Sequence, residues 1–100
     1  MRIMLACCAG MSTSLVVSKM QEAAREQGKD YKSWAVEQGQ IQEELGNFDV
    51  LLLGPQVRHI LRKVTKIVGD QAPIAVIDPV AYGTCNGAKV LEQAENLAKK

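Results

Sequence analysis

The chain has 100 residues, of which 47% are apolar and 23% charged, and its formal net charge is +1. That is enough for one hydrophobic core and too little for two. Near-neutrality gives no global field for nucleic acid, 4% aromatics give no platform for stacking bases, and no apolar run approaches the length of a membrane span.

Arg2 to Ala6 is a short apolar run that reads as a buried strand ending at Cys7-Cys8-Ala9-Gly10. Ser12, Thr13 and Ser14 are candidate caps for a helix that runs to about Gln27, with Leu15, Val16, Met20, Ala23 and Ala24 on one face and Gly28 closing it. Tyr31 to Val36 alternates as a half-exposed edge strand does, with Tyr31, Ser33 and Ala35 on one side. Gln40 to Leu45 suits a short helix. Phe48 to Leu53 is nearly continuous in apolar residues, the pattern of a strand covered on both faces.

Pro55 suits the first position of a helix that carries Val57, Ile60, Leu61, Val64, Ile67 and Val68 at helical spacing and closes at Gly69. Ile74 to Ile77 reads as another buried strand, ended by Asp78-Pro79, with Tyr82 and Gly83 in the following loop. A last helix shows Val90, Leu91, Ala94, Leu97 and Ala98 on one face. Strand and helix alternate four times, which implies an α/β fold with parallel strands, right-handed crossovers and helices on both faces. Ligands of such sheets bind beyond the carboxyl ends of the strands. Three loops project there: 7–12, 54–56 and 78–83.

The first of these loops concentrates chemistry. Small residues and Gly10 let the backbone N–H groups of residues 8–12 turn inward toward Cys7. The following helix N-terminus adds partial positive charge and free donors, and Ser12, Thr13 and Ser14 add hydroxyls. The segment Cys8, Ala9, Gly10, Met11, Ser12, Thr13 and Ser14 is thus a candidate anion cradle with a cysteine at its lip. The same field favours the thiolate, the nucleophilic form. The plainer reading is that Cys7 and Cys8 are small core residues ending a strand and the serines merely cap a helix. Three cysteines, an odd number with no CxxC pair, fit reduced thiols and a cytoplasmic setting, and no signal sequence leads the chain. Cys85 reads as a buried structural thiol. His59 sits among Arg58, Arg62, Lys63 and Lys66, either a solvated basic face or a docking patch for an acidic rim. No cluster has metal-ligand spacing, and neither metal nor cofactor is expected.

The run from Cys7 to Met20, Cys-x-Ala-Gly-Met-Ser-Thr-Ser-Leu-x-Val-Ser-Lys-Met, resembles the active-site segment of enzyme IIB of the bacterial phosphotransferase system (PTS), lactose/cellobiose branch. Asp49 to Val57, Val76-Ile77-Asp78 and Tyr82-Gly83 are also similar to that family. The resemblance implies that residues 1–100 form one IIB domain with a doubly wound four-stranded sheet in order 2-1-3-4. It further implies a phosphocysteine, charged from a phosphohistidine of a IIA partner and discharged onto a sugar bound by a membrane IIC partner. Aligning Ala9-Gly10-Met11 puts the nucleophile at Cys7 and leaves Cys8 where a small polar residue is usual. Pro55, Gln56, Asp78 and Tyr82 become candidates for the pocket wall. The rival is a low-molecular-weight tyrosine phosphatase or an arsenate reductase of similar build, which the Asp78-Pro79 pair resembles. Its signature needs Arg six positions after the cysteine, where this chain has Thr13 or Ser14, so the bidentate clamp on phosphate is missing.

Overall fold

The computed structural model describes residues 1–7 and 10–98; for residues 7, 10–14, 38 and 56 the description is of the backbone alone. The elements are β1 (Arg2–Cys7), α1 (Gly10–Glu26), β2 (Lys32–Glu37), β3 (Val50–Leu53), α2 (Leu61–Val68), β4 (Ile74–Val76), α3 (Pro79–Gly83) and α4 (Gly87–Ala98). Three 3-10 segments join them, at Gln38–Gln40, Gln42–Glu44 and Pro55–Ile60. All strand pairs are parallel, and the order is β2-β1-β3-β4, as expected.

The period of two along the central strands sorts the core into halves. Ile3 and Leu5 of β1, with Val50 and Leu52 of β3, face Val16, Val17 and Met20 of α1 and Val90, Leu91 and Ala94 of α4. Met4, Ala6, Leu51 and Leu53 face the other way, onto Val57, Val64 and Val68. Residues 3–6 and 50–53 are all buried, which is why these strands carry no polar alternation. In β2 the expected sides appear. Tyr31 and Ala35 pack on the α1 side, and Trp34 and Val36 on the α2 side.

The backbones of α1 and α4 come very close at Gly87, the first residue of α4. A β-carbon built there would lie 2.2 Å from the Lys19 carbonyl carbon and 2.4 Å from the Met20 nitrogen. Only glycine lets the two backbones meet. The end of α1 is held to α4 as well, since Lys29 pairs with Glu95 and the Tyr31 hydroxyl donates to the same carboxylate at 3.0 Å.

Several local expectations need correcting. The segment after Pro55 is not one helix. Val57 leaves helical geometry at φ −117° and ψ 20°, its N–H donates to the Gly54 carbonyl at 3.0 Å, and α2 proper starts at Leu61. That departure lets the Val57 side chain enter the core beside Val64 and Val68. In place of the helix expected over Gln40 to Leu45 stand the end of the Gln38–Gln40 3-10 turn and a second one at Gln42–Glu44. β4 is half-buried, not buried, because it is a three-residue edge strand. Ala98 is exposed, while Gly87, Val90, Leu91 and Ala94 form the fully buried stripe of α4. Lys99 and Lys100 lie outside the described residues.

At the amino end of the sheet, Arg2 clasps Asp49. Its backbone N–H donates to Asp49 Oδ2 at 2.7 Å, and its Nη2 donates to Oδ1 at 3.0 Å. These bonds hold the Asp49 carboxyl below the usual carboxylate range, the side-chain bond from Arg2 contributing most. A depressed carboxylate pKa stabilises the fold above its unfolded value, about pH 4, and that contribution is lost as pH falls through the lower folded value. Asp49→Asn is therefore expected to lower the midpoint of thermal unfolding slightly at neutral pH and to converge with the wild type in strong acid. Both groups are nearly half exposed, so the effect is small. A gap between the two proteins that widened toward low pH would refute this account.

Candidate functional site

Backbone ties bring the three candidate loops to one edge. Ala6 is in register with Leu53, and Leu53 with Val76. One step further, the Gly54 N–H donates to the Ala6 carbonyl at 2.9 Å, and the Ile77 N–H donates to the Leu53 carbonyl at 2.8 Å. On the other side Cys7 is in register with Glu37. Cys7 thus ends a central strand, level with Gly54 and Ile77, and α1 begins at Gly10. As the first turn of α1, Gly10, Met11 and Ser12 have backbone N–H groups with no carbonyl one turn earlier in the helix.

This corrects the expected loop. Gly10 to Ser14 belong to the helix, and Ser12, Thr13 and Ser14 are not its caps. Three successive polar residues, Ser12, Thr13 and Ser14, do not stop helix formation once Met11, Leu15 and Val16 set the period. Cys8 and Ala9 lie outside the described residues, as do the side chains of Cys7 and of residues 10–14. The expected convergence of N–H groups on the Cys7 sulfur falls there too.

The third loop is also helical. Tyr82 and Gly83 belong to α3, not to a loop, because Asp78 caps that helix and Pro79 supplies a preset first position. The Ala81 N–H donates to Asp78 Oδ2 at 3.3 Å. Asp78 is exposed, and its carboxylate serves this cap. Tyr82 is half-buried against the α1-side core. Gln93 of α4 clasps the end of β4 with both ends of its amide. Its Nε2 donates to the Val76 carbonyl at 2.8 Å, and its Oε1 accepts the Asp78 N–H at 3.1 Å. A lone glutamine in a helix gives no sequence signal for that role.

Cys85 follows α3 with φ 53°, in the left-handed region that favours glycine. Its N–H donates to the Tyr82 carbonyl at 3.1 Å, and the Asn86 N–H to that of Ala81 at 2.8 Å, the paired bonds of a Schellman turn. Asn86 then caps α4, its Oδ1 accepting the Lys89 N–H at 3.2 Å. Cys85 is half-buried, not buried as expected, and packs against the core from the turn between α3 and α4. Pro55 opens the middle loop; the Gln56 side chain lies outside the described residues. Among the described residues no group of His, Cys, Asp and Glu could hold a metal ion.

Residues 2–93 match the family model described as the PTS system, lactose/cellobiose specific IIB subunit. The chain belongs to that family. It is 50% identical to the galactose-specific EIIB component of Lactococcus lactis subsp. cremoris over 95% of this chain and 94% of that one. It is 42% identical to the oligo-beta-mannoside-specific EIIB component of Bacillus subtilis, covering 96% and 94%. Among solved structures, the cellobiose-specific IIB component of Borrelia burgdorferi superposes with a TM-score of 0.82 at 36% identity, covering 99% of this chain and 92% of that one. The lactose-specific IIB domain of Streptococcus pneumoniae gives the same TM-score at 17% identity, covering 97% and 96%, and so shares the fold.

As an EIIB component the chain is part of a sugar phosphotransferase, a system in which EIIB works with EIIA and EIIC. Among the described residues no helix is long and apolar enough to cross a membrane. The phosphatase alternative loses ground on two counts. The family match excludes it as the better reading, and the Asp78 carboxylate is engaged as a helix cap.

Proposed function

We propose that the chain carries a phosphoryl group on Cys7, as one domain working in the cytoplasm between a IIA donor and a membrane IIC protein with its bound sugar. The observation that carries this reading is the position of Cys7. It ends a central strand three residues before the first residue of a 17-residue helix, in a chain of the IIB family. A helix N-terminus favours the thiolate and offers N–H donors to an incoming anion.

In the first step the Cys7 sulfur attacks the phosphorus of the IIA phosphohistidine; the P–N bond breaks and the S–P bond forms. In the second, a sugar hydroxyl oxygen attacks the same phosphorus. The S–P bond breaks, the thiolate is restored, and the hydroxyl proton leaves to solvent or to a base on the acceptor side. Backbone N–H groups from residues 8–12 and the hydroxyls of Ser12, Thr13 and Ser14 would hold the phosphoryl oxygens, with Pro55, Gln56, Asp78 and Tyr82 walling the pocket. A carrier must keep the group from water, and without an Arg clamp it gains little stabilisation for hydrolysis. The relatives' names point to galactose, an oligo-β-mannoside or cellobiose as the sugar.

Incubation with phosphorylated IIA is expected to add one phosphoryl group, located by fragmentation of the tryptic peptide between Arg2 and Lys19 on Cys7. Cys8→Ser should retain most of the transfer. A phosphoryl group on Cys8, or none on this peptide, would overturn the assignment. Hydrolysis of an aryl phosphate should be very slow. Brisk turnover, lost in Asp78→Asn, would restore the phosphatase.

A further inference from the structure

Charge is unevenly distributed along the chain. Residues 55–69, the 3-10 segment and α2, hold four of the 12 Lys and Arg and none of the 11 Asp and Glu. That segment carries +4 while the remaining chain, with eight bases against 11 acids, carries −3. Arg58, His59, Arg62, Lys63 and Lys66 are all exposed, on the side of the helix away from Val57, Val64 and Val68. Among the described residues none of them takes part in an ion pair, whereas Arg2, Lys19 and Lys29 do.

The basic face borders a groove of about 300 Å³ between α2 and the turn that follows β2, lined by Gly39, His59, Ile60, Lys63, Val64 and Ile67. Its walls start near Cys7. Gly39 is two residues beyond Glu37, which is in register with Cys7, and His59 is five beyond Gly54, which is level with it. The groove therefore has an apolar floor, a cationic rim and a place beside the carboxyl edge of the sheet.

We infer that this face docks the IIA donor, through an acidic surface that presents one apolar side chain to the groove. The inference rests on the reading of the chain as acceptor of IIA's phosphoryl group. A soluble donor fits better than IIC, because cytoplasmic loops of membrane proteins carry excess Lys and Arg and would repel the patch. A lipid surface fits less well too. Interfacial binding needs exposed apolar side chains beside the bases, and the large ones exposed among the described residues, Leu15 and Val80, lie on α1 and α3, on the other side of the sheet. Opposite charge at this rim would steer encounter and fix orientation, an effect that salt screens.

The test measures binding of unphosphorylated IIA of the same sugar system to the chain carrying Cys7→Ser, by calorimetry, and transfer from phosphorylated IIA to the chain with Cys7 intact. Arg62→Glu with Lys63→Glu should raise both Kd and KM at least tenfold at low salt and leave kcat within twofold. Arg25→Glu with Lys32→Glu makes the same charge change at the opposite end of the sheet and should leave both within twofold. Wild-type Kd should rise with salt, a measurement that needs no variant. Equal weakening by the two double variants, no weakening by the first, or a salt-independent Kd each overturns the proposal. So does loss of binding to vesicles containing phosphatidylglycerol with IIA binding intact. Intact, salt-sensitive binding without any transfer would instead count against Cys7 as acceptor and leave the docking face standing.

Discussion

Cys7→Ser is expected to lower phosphoryl transfer from phosphorylated IIA by on the order of 10³-fold or more, the scale on which loss of an enzymatic nucleophile is felt. Serine is nearly isosteric, and Cys7 occupies the last position of β1, where its backbone pairs with Glu37. The fold should therefore survive, and the melting temperature should stay within a few degrees. What changes is the nucleophile. A hydroxyl beside a helix N-terminus remains protonated at neutral pH, while a thiol is drawn toward the thiolate. Transfer should thus drop in kcat with the Kd for IIA unchanged. Transfer by Cys7→Ser at wild-type rate would sink the assignment whatever the other measurements showed.

Gly87→Ala is expected to destabilise the fold strongly although it adds a single methyl group. The new β-carbon would sit 2.2 Å from a backbone atom of α1 and 2.5 Å from the Lys19 carbonyl oxygen. Neither can swing aside as a side-chain tip would. Relief requires α4 to part from α1, opening the interface in which Val16, Met20, Val90, Leu91 and Ala94 are buried. Overpacking of this kind costs about 3 kcal/mol or more, which lowers the melting temperature of a domain this size by roughly 12–24 °C. Gly83→Ala is the matched control, since a β-carbon there meets nothing within 4 Å and Gly83 lies in α3. Its melting temperature should stay level or rise slightly. Gly87→Ala melting within about 2 °C of wild type would show that the helices do not meet there.

These two residues mark what the sequence could and could not reveal. The strand end at Cys7 and the helix that follows it were legible because an apolar run, small residues and capping candidates fall on one spot, where the family resemblance puts the proposed nucleophile. The parallel sheet was legible because Met4 to Ala6 and Val50 to Leu53 are apolar without alternation. Gly87 was not, because a glycine between two helical patterns looks like any loop glycine until α1 is placed against it. Gln93 was hidden for a related reason. Its partners, the Val76 carbonyl and the Asp78 N–H, are backbone groups that carry no side-chain signature. Tyr82 was misplaced into a loop because a five-residue helix is too short to show a period, although Asp78-Pro79 is a good capping pair. The kink at Val57 left no trace either, since its apolar spacing serves a 3-10 turn as well as a helix.

The placement of Cys7 on β1 also sets a kinetic order. β1 has hydrogen-bonded neighbours on both sides, and Ile3 to Ala6 are wholly buried. Amide protons of such a strand exchange with solvent only when the whole domain opens, whereas three-residue β4 at the sheet edge can fray separately. In deuterium exchange, Leu5 and Ala6 should be among the slowest amides in the chain, and Ala75 and Val76 should wash out earlier. The proposed acceptor, Cys7, is thus anchored on the last part of the molecule to give way, so docking and release of the proposed partners would disturb the rim without loosening its footing.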